Sequence, residues 1–159
     1  MNSIRQNYYP IFQMYQALRE QLLDILTDDD LGYRAGGANP TLGFLCREIG
    51  EVEYAYIQSF KTFKQDFSYR NETPGLESSR QQLAGWFKAL DQELKETVEG
   101  LSEEDIKNRV IDRGGDFTLP PHIQLDVYKE ALLIFYGKVS VYLKAMGKTL
   151  PKQWQEWIG

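Results

Sequence analysis

The stretch of sequence that decides the fold is YKEALLIFYGKVSVYLKAMGKTLP, residues 128–151. Apolar side chains recur through it in alternating steps of four and three residues, at Tyr128, Leu132, Phe135, Val139, Tyr142 and Met146. This spacing lays one apolar stripe along a helix. Gly147 is suited to cap the end of that helix, and Pro151 to prevent its resumption. We therefore predict a long amphipathic helix that packs its stripe against other helices.

Three earlier segments, residues 3–26, 39–63 and 78–100, show the same periodicity. A glycine-rich loop separates the first two, and a polar connection containing Pro74-Gly75 separates the second from the third. Pro120-Pro121 opens the fourth helix. Helices with one apolar stripe each bury those stripes most simply in an all-α four-helix bundle.

The helix starts are predicted from capping residues. Ser3 is the expected cap of the first helix, and Pro10 either kinks this helix or delays its start. Asn39 is the expected cap of the second helix, with Pro40 at its first position. Ser102 begins a motif typical of the capped start of a short helical turn.

The segment RVIDRGGDFTL, residues 109–119, differs from its surroundings because β-prone residues flank a glycine pair. This pattern is typical of a small hairpin or of an ordered loop before the fourth helix. No internal repeat or interdomain linker interrupts the chain, and its length suits one core. We therefore expect residues 1–159 to form a single domain.

Composition limits the classes of partner. The net charge of −5 argues against binding to nucleic acid, which requires clustered Lys and Arg. No segment is apolar enough to span a membrane, and no signal peptide is recognisable. Cys46 is the only cysteine, so the chain can form no internal disulfide. We expect a cytoplasmic protein.

Few residues are suited to metal binding or catalysis. His122 is the only histidine, so a histidine-based metal site cannot form. Two roles are open for His122. It is either a partly exposed residue of the first helical turn or an acid, base or hydrogen-bond donor at the edge of a pocket. Glu48 lies near the apolar face of the second helix, and Asp126 and Glu130 could join it around a cation or form a solvated stripe. Cys46 is expected to be a small buried hydrophobe.

The whole chain resembles the DinB/YfiT-like superfamily. The resemblance rests on the first amphipathic helix, on NPTLGFL at residues 39–45, and on Gly137-Lys138-Val139, Tyr142-Leu143-Lys144, Met146-Gly147 and Leu150-Pro151. It implies a four-helix bundle with up-down-down-up topology and a frequent homodimer. In many members it also implies a metalloenzyme, with zinc or nickel held by three histidines. Some relatives are thiol-dependent transferases or metal-dependent hydrolases, and many have no assigned function.

The family's histidine positions fall on Glu48, Ala131 and Phe135 in this chain, so no metal cofactor is expected. Two outcomes are open for this degenerate metal site. Either the core is sealed, with Glu48 bonded to a tyrosine hydroxyl, or a residual pocket persists. We favour the sealed core. The residues proposed to line a pocket are Glu48, Tyr54, Ala131, Phe135 and Tyr136, with His122 at its edge.

Two functions are compatible with these features. The first is a bundle protein without the three-histidine metal site that binds a small-molecule ligand or a protein partner. The alternative is a transferase or hydrolase of the DinB/YfiT type that uses Glu48 with nearby carboxylates, a divalent metal or a bound thiol. Homodimer formation is also expected, because Leu133, Ile134 and Val141 widen the apolar surface of the fourth helix beyond one stripe.

Overall fold

The computed structural model describes residues 1–159, most of which lie in helices. In chain order the elements are α1 (Ser3–Asn7), α2 (Tyr9–Ile25), α3 (Asp28–Leu31), α4 (Leu42–Thr62), a 3₁₀ turn (Leu76–Ser78), α5 (Arg80–Gly100), α6 (Glu103–Asn108), β1 (Ile111–Asp112), β2 (Thr118–Leu119), α7 (Pro121–Ala145) and α8 (Lys152–Trp157). The four long helices α2, α4, α5 and α7 form a bundle, which confirms the predicted fold class. None of the helices combines the length and the apolar character needed to cross a membrane.

Contacts at the helix ends establish the direction of each helix. Arg80, at the start of α5, donates to the carbonyl of Leu23 near the end of α2, so α2 and α5 are antiparallel. Tyr142, near the end of α7, donates at 2.8 Å to the carbonyl of Pro40 just before α4, so α4 and α7 are antiparallel.

Helices α4 and α5 run in the same direction. The 3₁₀ turn that leads into α5 packs against the first turn of α4, where the Glu77 backbone lies beside Gly43. The chain therefore returns from the end of α4 to its beginning, and residues 63–79 make this crossover. Together with the antiparallel pairs, this gives the up-down-down-up topology.

The predicted stripe of α7 lies in the core. Its members Tyr128, Leu132, Phe135, Val139 and Tyr142 are all buried. They belong to one cluster of 34 buried apolar residues to which all four long helices contribute. Burial of this apolar surface is the main force that holds the four helices together.

The predicted first helix is broken at Tyr8, two residues before Pro10, into α1 and α2. The expected cap Ser3 is wrong, because Asn2 accepts from the backbone N–H of Arg5 at 2.9 Å. The Asn2 side-chain amide also donates to the carbonyl of Val98 at 2.7 Å, at the end of α5. Asn2 is thus selected as the cap by a tertiary contact as well as by its local position.

The predicted start of α4 is two residues too early. Thr41, not Asn39, is its cap and accepts from the Phe44 N–H at 3.1 Å. Asn39 instead donates from its side chain to the carbonyl of Gly36 in the preceding loop. Pro40 therefore precedes the helix rather than occupying its first position.

The hairpin is confirmed, with Ile111 paired to Leu119 and Asp112 to Thr118. It docks on the segment after α4, where the Asp112 N–H donates to the carbonyl of Phe63 at 3.0 Å. Ser102 caps α6 as predicted.

Helix α7 ends at Ala145, two residues before the expected cap residue Gly147, which has a φ of 71°. The expectation that Pro151 prevents a further helix is wrong. Helix α8 follows it directly, and Pro151 is its cap residue. The indole of Trp154 in α8 is fully buried and donates to the Leu18 carbonyl of α2 at 3.0 Å. Tertiary packing of one tryptophan therefore sustains a short helix that the sequence pattern did not indicate.

Two glycines of α4 permit its close approach to α5. A Cβ atom at Gly43 would lie 1.8 Å from the carbonyl oxygen of Glu77, and one at Gly50 would lie 2.4 Å from the Trp86 ring. Neither distance is sterically allowed. The parallel pair of helices therefore depends on the absence of side chains at these two positions.

We expect Gly43→Ala to destabilise the protein by about 1–3 kcal/mol, because a backbone carbonyl has to move to admit the methyl group. The free energy of unfolding in urea measures this effect. Gly85→Ala is the matched control in α5, since nothing lies within 4 Å of its Cβ position. This control should stabilise by about 0.5–1 kcal/mol through helix propensity. Equal stability of the two variants would contradict the close-approach explanation.

Candidate functional site

A cleft of about 170 Å³ opens between α4 and α7. Glu48, Ala131 and Phe135, the three positions singled out in the sequence, all line it. Apolar side chains form most of its walls, namely Leu45, Ile49, Val52, Ala131, Ile134 and Phe135. Lys138 is the only charged lining residue besides Glu48.

Two further hollows continue this cleft. One of about 440 Å³ lies towards the start of α4, between Phe44 and Tyr142. The other, of about 260 Å³, lies towards the crossover, between Val52 and Phe67. Glu48 lines all three hollows. We call the continuous depression the α4–α7 groove.

Glu48 lies at the rim of the α4–α7 groove and not in a sealed core. Its side chain is exposed and forms no hydrogen bond or ion pair with the protein, so the expected bond to a tyrosine hydroxyl is absent. Its neighbours Leu45 and Ile49 take the inward positions of the helix and leave residue 48 on the edge. Phe135 is only 5% exposed and closes the floor beneath Glu48.

The other proposed pocket residues lie elsewhere. Tyr54 stacks at 3.9 Å between ring centroids on Tyr69 of the crossover. Tyr136 is fully buried on the α2 side of α7, where its hydroxyl donates to the Tyr15 carbonyl at 2.6 Å. His122 packs 5.4 Å from a tyrosine ring at the junction of α1 and α2. None of these three side chains lines the α4–α7 groove.

The residues at the family's ligand positions do not fit a metal ion. Glu48 offers one carboxylate, whereas Ala131 and Phe135 offer no ligand atom. Asp126 pairs with Lys129 at 2.9 Å. No group of three or more His, Cys, Asp or Glu side chains comes close enough anywhere in residues 1–159 to hold a metal. No chemical step can therefore be assigned to a metal from these residues.

Cys46 is unsuited to act as a nucleophile. It is fully buried, and burial raises the pKa of its thiol to about 12, which suppresses the reactive thiolate at neutral pH. This agrees with its interpretation as a small buried hydrophobe.

A cluster of charged side chains occupies the centre of the bundle. Arg19 of α2, whose side chain is 1% exposed, places Nη2 at 2.6 Å from Glu53 Oε2 of α4 and at 2.6 Å from Asp91 Oδ1 of α5. Glu53 is fully buried and Asp91 is 21% exposed. Gln16 donates to both carboxyl groups. We call Arg19, Glu53 and Asp91 the core charge cluster.

The surroundings of the core charge cluster are aromatic. The Arg19 guanidinium lies 4.0 Å from the centroid of the Phe87 ring, at cation–π distance. The Tyr128 hydroxyl and Arg19 Nη1 are buried without a hydrogen-bond partner. Although burial opposes its charge, Glu53 and Asp91 raise the pKa of Arg19, so it remains a guanidinium.

Sequence reasoning missed the core charge cluster, yet a signal was present. Gln16 and Arg19 stand in a row with Phe12 and Leu23 at steps of four, three and four. Glu53 likewise lies four residues after Ile49 on the inward face of α4. Charged residues at apolar stripe positions on several helices indicate mutual pairing inside a bundle.

We expect Arg19→Met to destabilise the protein by about 3–5 kcal/mol, because it leaves Glu53 buried without a counter-charge. Lys61→Met is the control, since it breaks the exposed pair with Glu93 at 2.6 Å and should cost no more than about 1 kcal/mol. Urea denaturation measures both. A loss of less than 1 kcal/mol for Arg19→Met would show that the guanidinium is not needed in the core.

Comparisons with known proteins agree with this architecture. A DinB-like protein from Bacillus subtilis is similar to the chain, with a TM-score of 0.71 and 20% identity over 94% of this chain and 96% of that one. A DinB-like protein from Bacillus cereus ATCC 10987 has a TM-score of 0.75 and 19% identity over 92% and 95%. No curated protein matches significantly. Residues 12–132 match the model of the DinB superfamily, and the chain therefore belongs to that superfamily.

Proposed function

We propose that the protein is a non-catalytic member of the DinB superfamily that binds a small organic molecule in the α4–α7 groove. The observation that carries this proposal is Glu48, a carboxylate without a partner, set among apolar side chains. An apolar concavity with a few polar groups is the usual form of a ligand site.

The walls of the α4–α7 groove favour a ligand with an apolar body. Leu45, Val52 and Phe135 offer aliphatic and aromatic surface to such a body. Glu48 favours a cationic group, because a carboxylate pairs more strongly beside low-dielectric walls than in open water. The ligand class that fits best is therefore a primary amine on an aromatic or aliphatic ring. Lys138 provides a second contact for an acceptor on larger ligands.

The alternative, a transferase or hydrolase that uses Glu48, has less support. General acid or base chemistry at Glu48 would require a second reactive group within hydrogen-bond reach. The central cleft offers only Lys138 as a further titratable group. The hollow towards the crossover adds Arg47, Glu51 and Arg70, but Glu51 is already paired with both arginines. Cys46 is buried in the core. Stoichiometric zinc or nickel in the purified protein would overturn the non-catalytic proposal.

We expect phenethylamine to bind with a dissociation constant in about the millimolar range, as suits so small a ligand. Two-dimensional NMR should show shifts for residues of the α4–α7 groove. Phenethyl alcohol and phenylacetate, which lack the cation, should bind more weakly. Glu48→Gln should remove the preference for the amine, since it removes the negative charge.

The matched variants for this experiment are Ala131→Leu and Ala145→Leu. The first fills the cleft and should weaken phenethylamine binding about tenfold or more. The second adds the same group to an exposed position of α7 outside the groove and should leave binding unchanged. Binding that survives Ala131→Leu, or absence of binding to the unaltered protein, would contradict the proposed site.

We also propose that the protein forms a homodimer through the face of α7 at the edge of the α4–α7 groove, so that a second copy would lie beside the proposed ligand site and partly cover it. Ile134 and Val141, two turns apart on this face, are 61% and 59% exposed. Gly137 lies between them with open space around it, which permits close approach of a second helix. Exposed apolar side chains on a helix that is already apolar on its inner face favour burial in an interface.

We expect light scattering to give the mass of a dimer at micromolar concentration and Ile134→Glu to give a monomer, because a buried carboxylate would oppose association. Ile11→Glu is the control, since Ile11 is 55% exposed on α2, away from this face. A monomeric mass for the unaltered protein would contradict the dimer. If Ile134→Glu and Ile11→Glu both dissociated the dimer, the interface could not be assigned to the face of α7 that carries Ile134.

A further inference from the structure

The core charge cluster contains one cation and two carboxyl groups. Arg19 is the only guanidinium in it, and both Glu53 and Asp91 contact the same nitrogen, Nη2. With both carboxyl groups ionised, this largely buried cluster would carry a net negative charge. Such a charge is costly, and protonation of one carboxyl group is the usual remedy.

The hydrogen bonds indicate where a proton fits. Glu53 Oε2 is buried and, despite its proximity to Arg19, accepts no well-aligned hydrogen bond. Both carboxyl groups lie 2.6 Å from the same nitrogen, Arg19 Nη2, so a protonated Asp91 beside Glu53 can donate to it. Asp91 also lies on the wall of a cleft of about 250 Å³ between α2 and α5, through which its carboxyl group reaches solvent.

We propose that the bundle core holds one exchangeable proton on the Asp91 carboxyl group, beside Glu53 and Arg19, and that release of this proton to solvent loosens the seam between α2 and α5. The proton leaves through the cleft and converts the Asp91 carboxylic acid to a carboxylate. The cluster then changes from neutral to negative, and the hydrogen bond to Glu53 is lost.

Groups from all the neighbouring helices set this equilibrium. Helix α2 contributes Arg19, Gln16 and Tyr9; α4 contributes Glu53; and α7 contributes the hydroxyls of Tyr128 and Tyr136. The cleft rim adds Glu20, Asp24 and, on α5 itself, Lys88. Burial raises the pKa of Asp91 most; Arg19 opposes the rise and Glu53 adds to it, which brings the pKa to about 7.

The sign of the pH dependence follows from linkage. An unfolded aspartate titrates near its ordinary value of 3.8, whereas folded Asp91 keeps its proton up to about pH 7. Between these values the folded protein binds more protons than the unfolded chain. Asp91 therefore makes the protein most stable at the acid end of this window, and its contribution is lost as the pH rises through about 7.

We expect the melting temperature to fall by about 5 °C or more between pH 5 and pH 8. Asp91→Asn should make the melting temperature nearly independent of pH in this range, because an asparagine amide can donate to Glu53 at every pH. Glu53→Gln should have the same effect, because Asp91 then pairs alone with Arg19 and stays ionised. Asp24→Asn is the matched control in the same cleft and should retain the pH dependence of the unaltered protein.

Two measurements on the unaltered protein complete the test. The carboxyl ¹³C resonance of Asp91 should titrate near pH 7, and backbone hydrogen exchange in residues 16–23 and 84–94 should accelerate above that pH after correction for intrinsic rates. Titration of the Asp91 carboxyl group below pH 5 would overturn the proposed proton site. So would a melting temperature of Asp91→Asn that depends on pH as strongly as that of the unaltered protein. Titration near pH 7 without faster exchange would overturn the loosening of the seam.

Discussion

Arg19 carries a positive charge at the centre of the bundle. The carboxyl groups that neutralise this charge come from two other helices, so the ion pairs hold three of the four long helices in position. A guanidinium can leave water only if carboxyl groups replace its hydration. Helix α4 supplies Glu53 and helix α5 supplies Asp91, each at 2.6 Å. Rotation of either helix by one residue would remove a partner, so we infer that the cluster selects which helix faces meet, beyond what non-directional apolar burial can specify.

The second constraint is the close parallel approach of α4 and α5. Gly43 and Gly50 are seven residues apart and so share one face of α4, where the Glu77 backbone and the Trp86 ring fill the space of absent side chains. This approach places Asp91 of α5 and Glu53 of α4 so that both contact Arg19 of α2. The parallel arrangement also explains the long crossover, since parallel neighbours cannot be joined by a short turn.

The periodic features of the sequence predicted most of the fold, because burial follows helical spacing directly. Helix starts were less predictable, because Asn2 and Thr41 are the caps in place of Ser3 and Asn39, which have similar capping strength. At the first helix, a contact of Asn2 with α5 favours Asn2 over Ser3. The burial of Arg19 does not follow from its residue type, because arginine is almost never fully buried unless it is paired, and its partners come from other helices. The α4–α7 groove depends on where the edges of two helices meet, and periodicity within one helix carries no such information.

Glu48 and Glu53 belong to the same helix and illustrate the difference between a structural and an available carboxylate. Five residues separate them, which turns Glu53 about 140° away from Glu48 around the helix axis. Glu53 faces inward, where it forms an ion pair with Arg19 and accepts a hydrogen bond from Gln16. Glu48 faces outward over apolar walls and has no partner.

A ligand that entered the core would have to displace an existing ion pair, whereas a cationic ligand in the α4–α7 groove would pair with the unpartnered carboxylate of Glu48. The rim of the groove is therefore the more favourable place for recognition, and the core charge cluster is better suited to hold a proton.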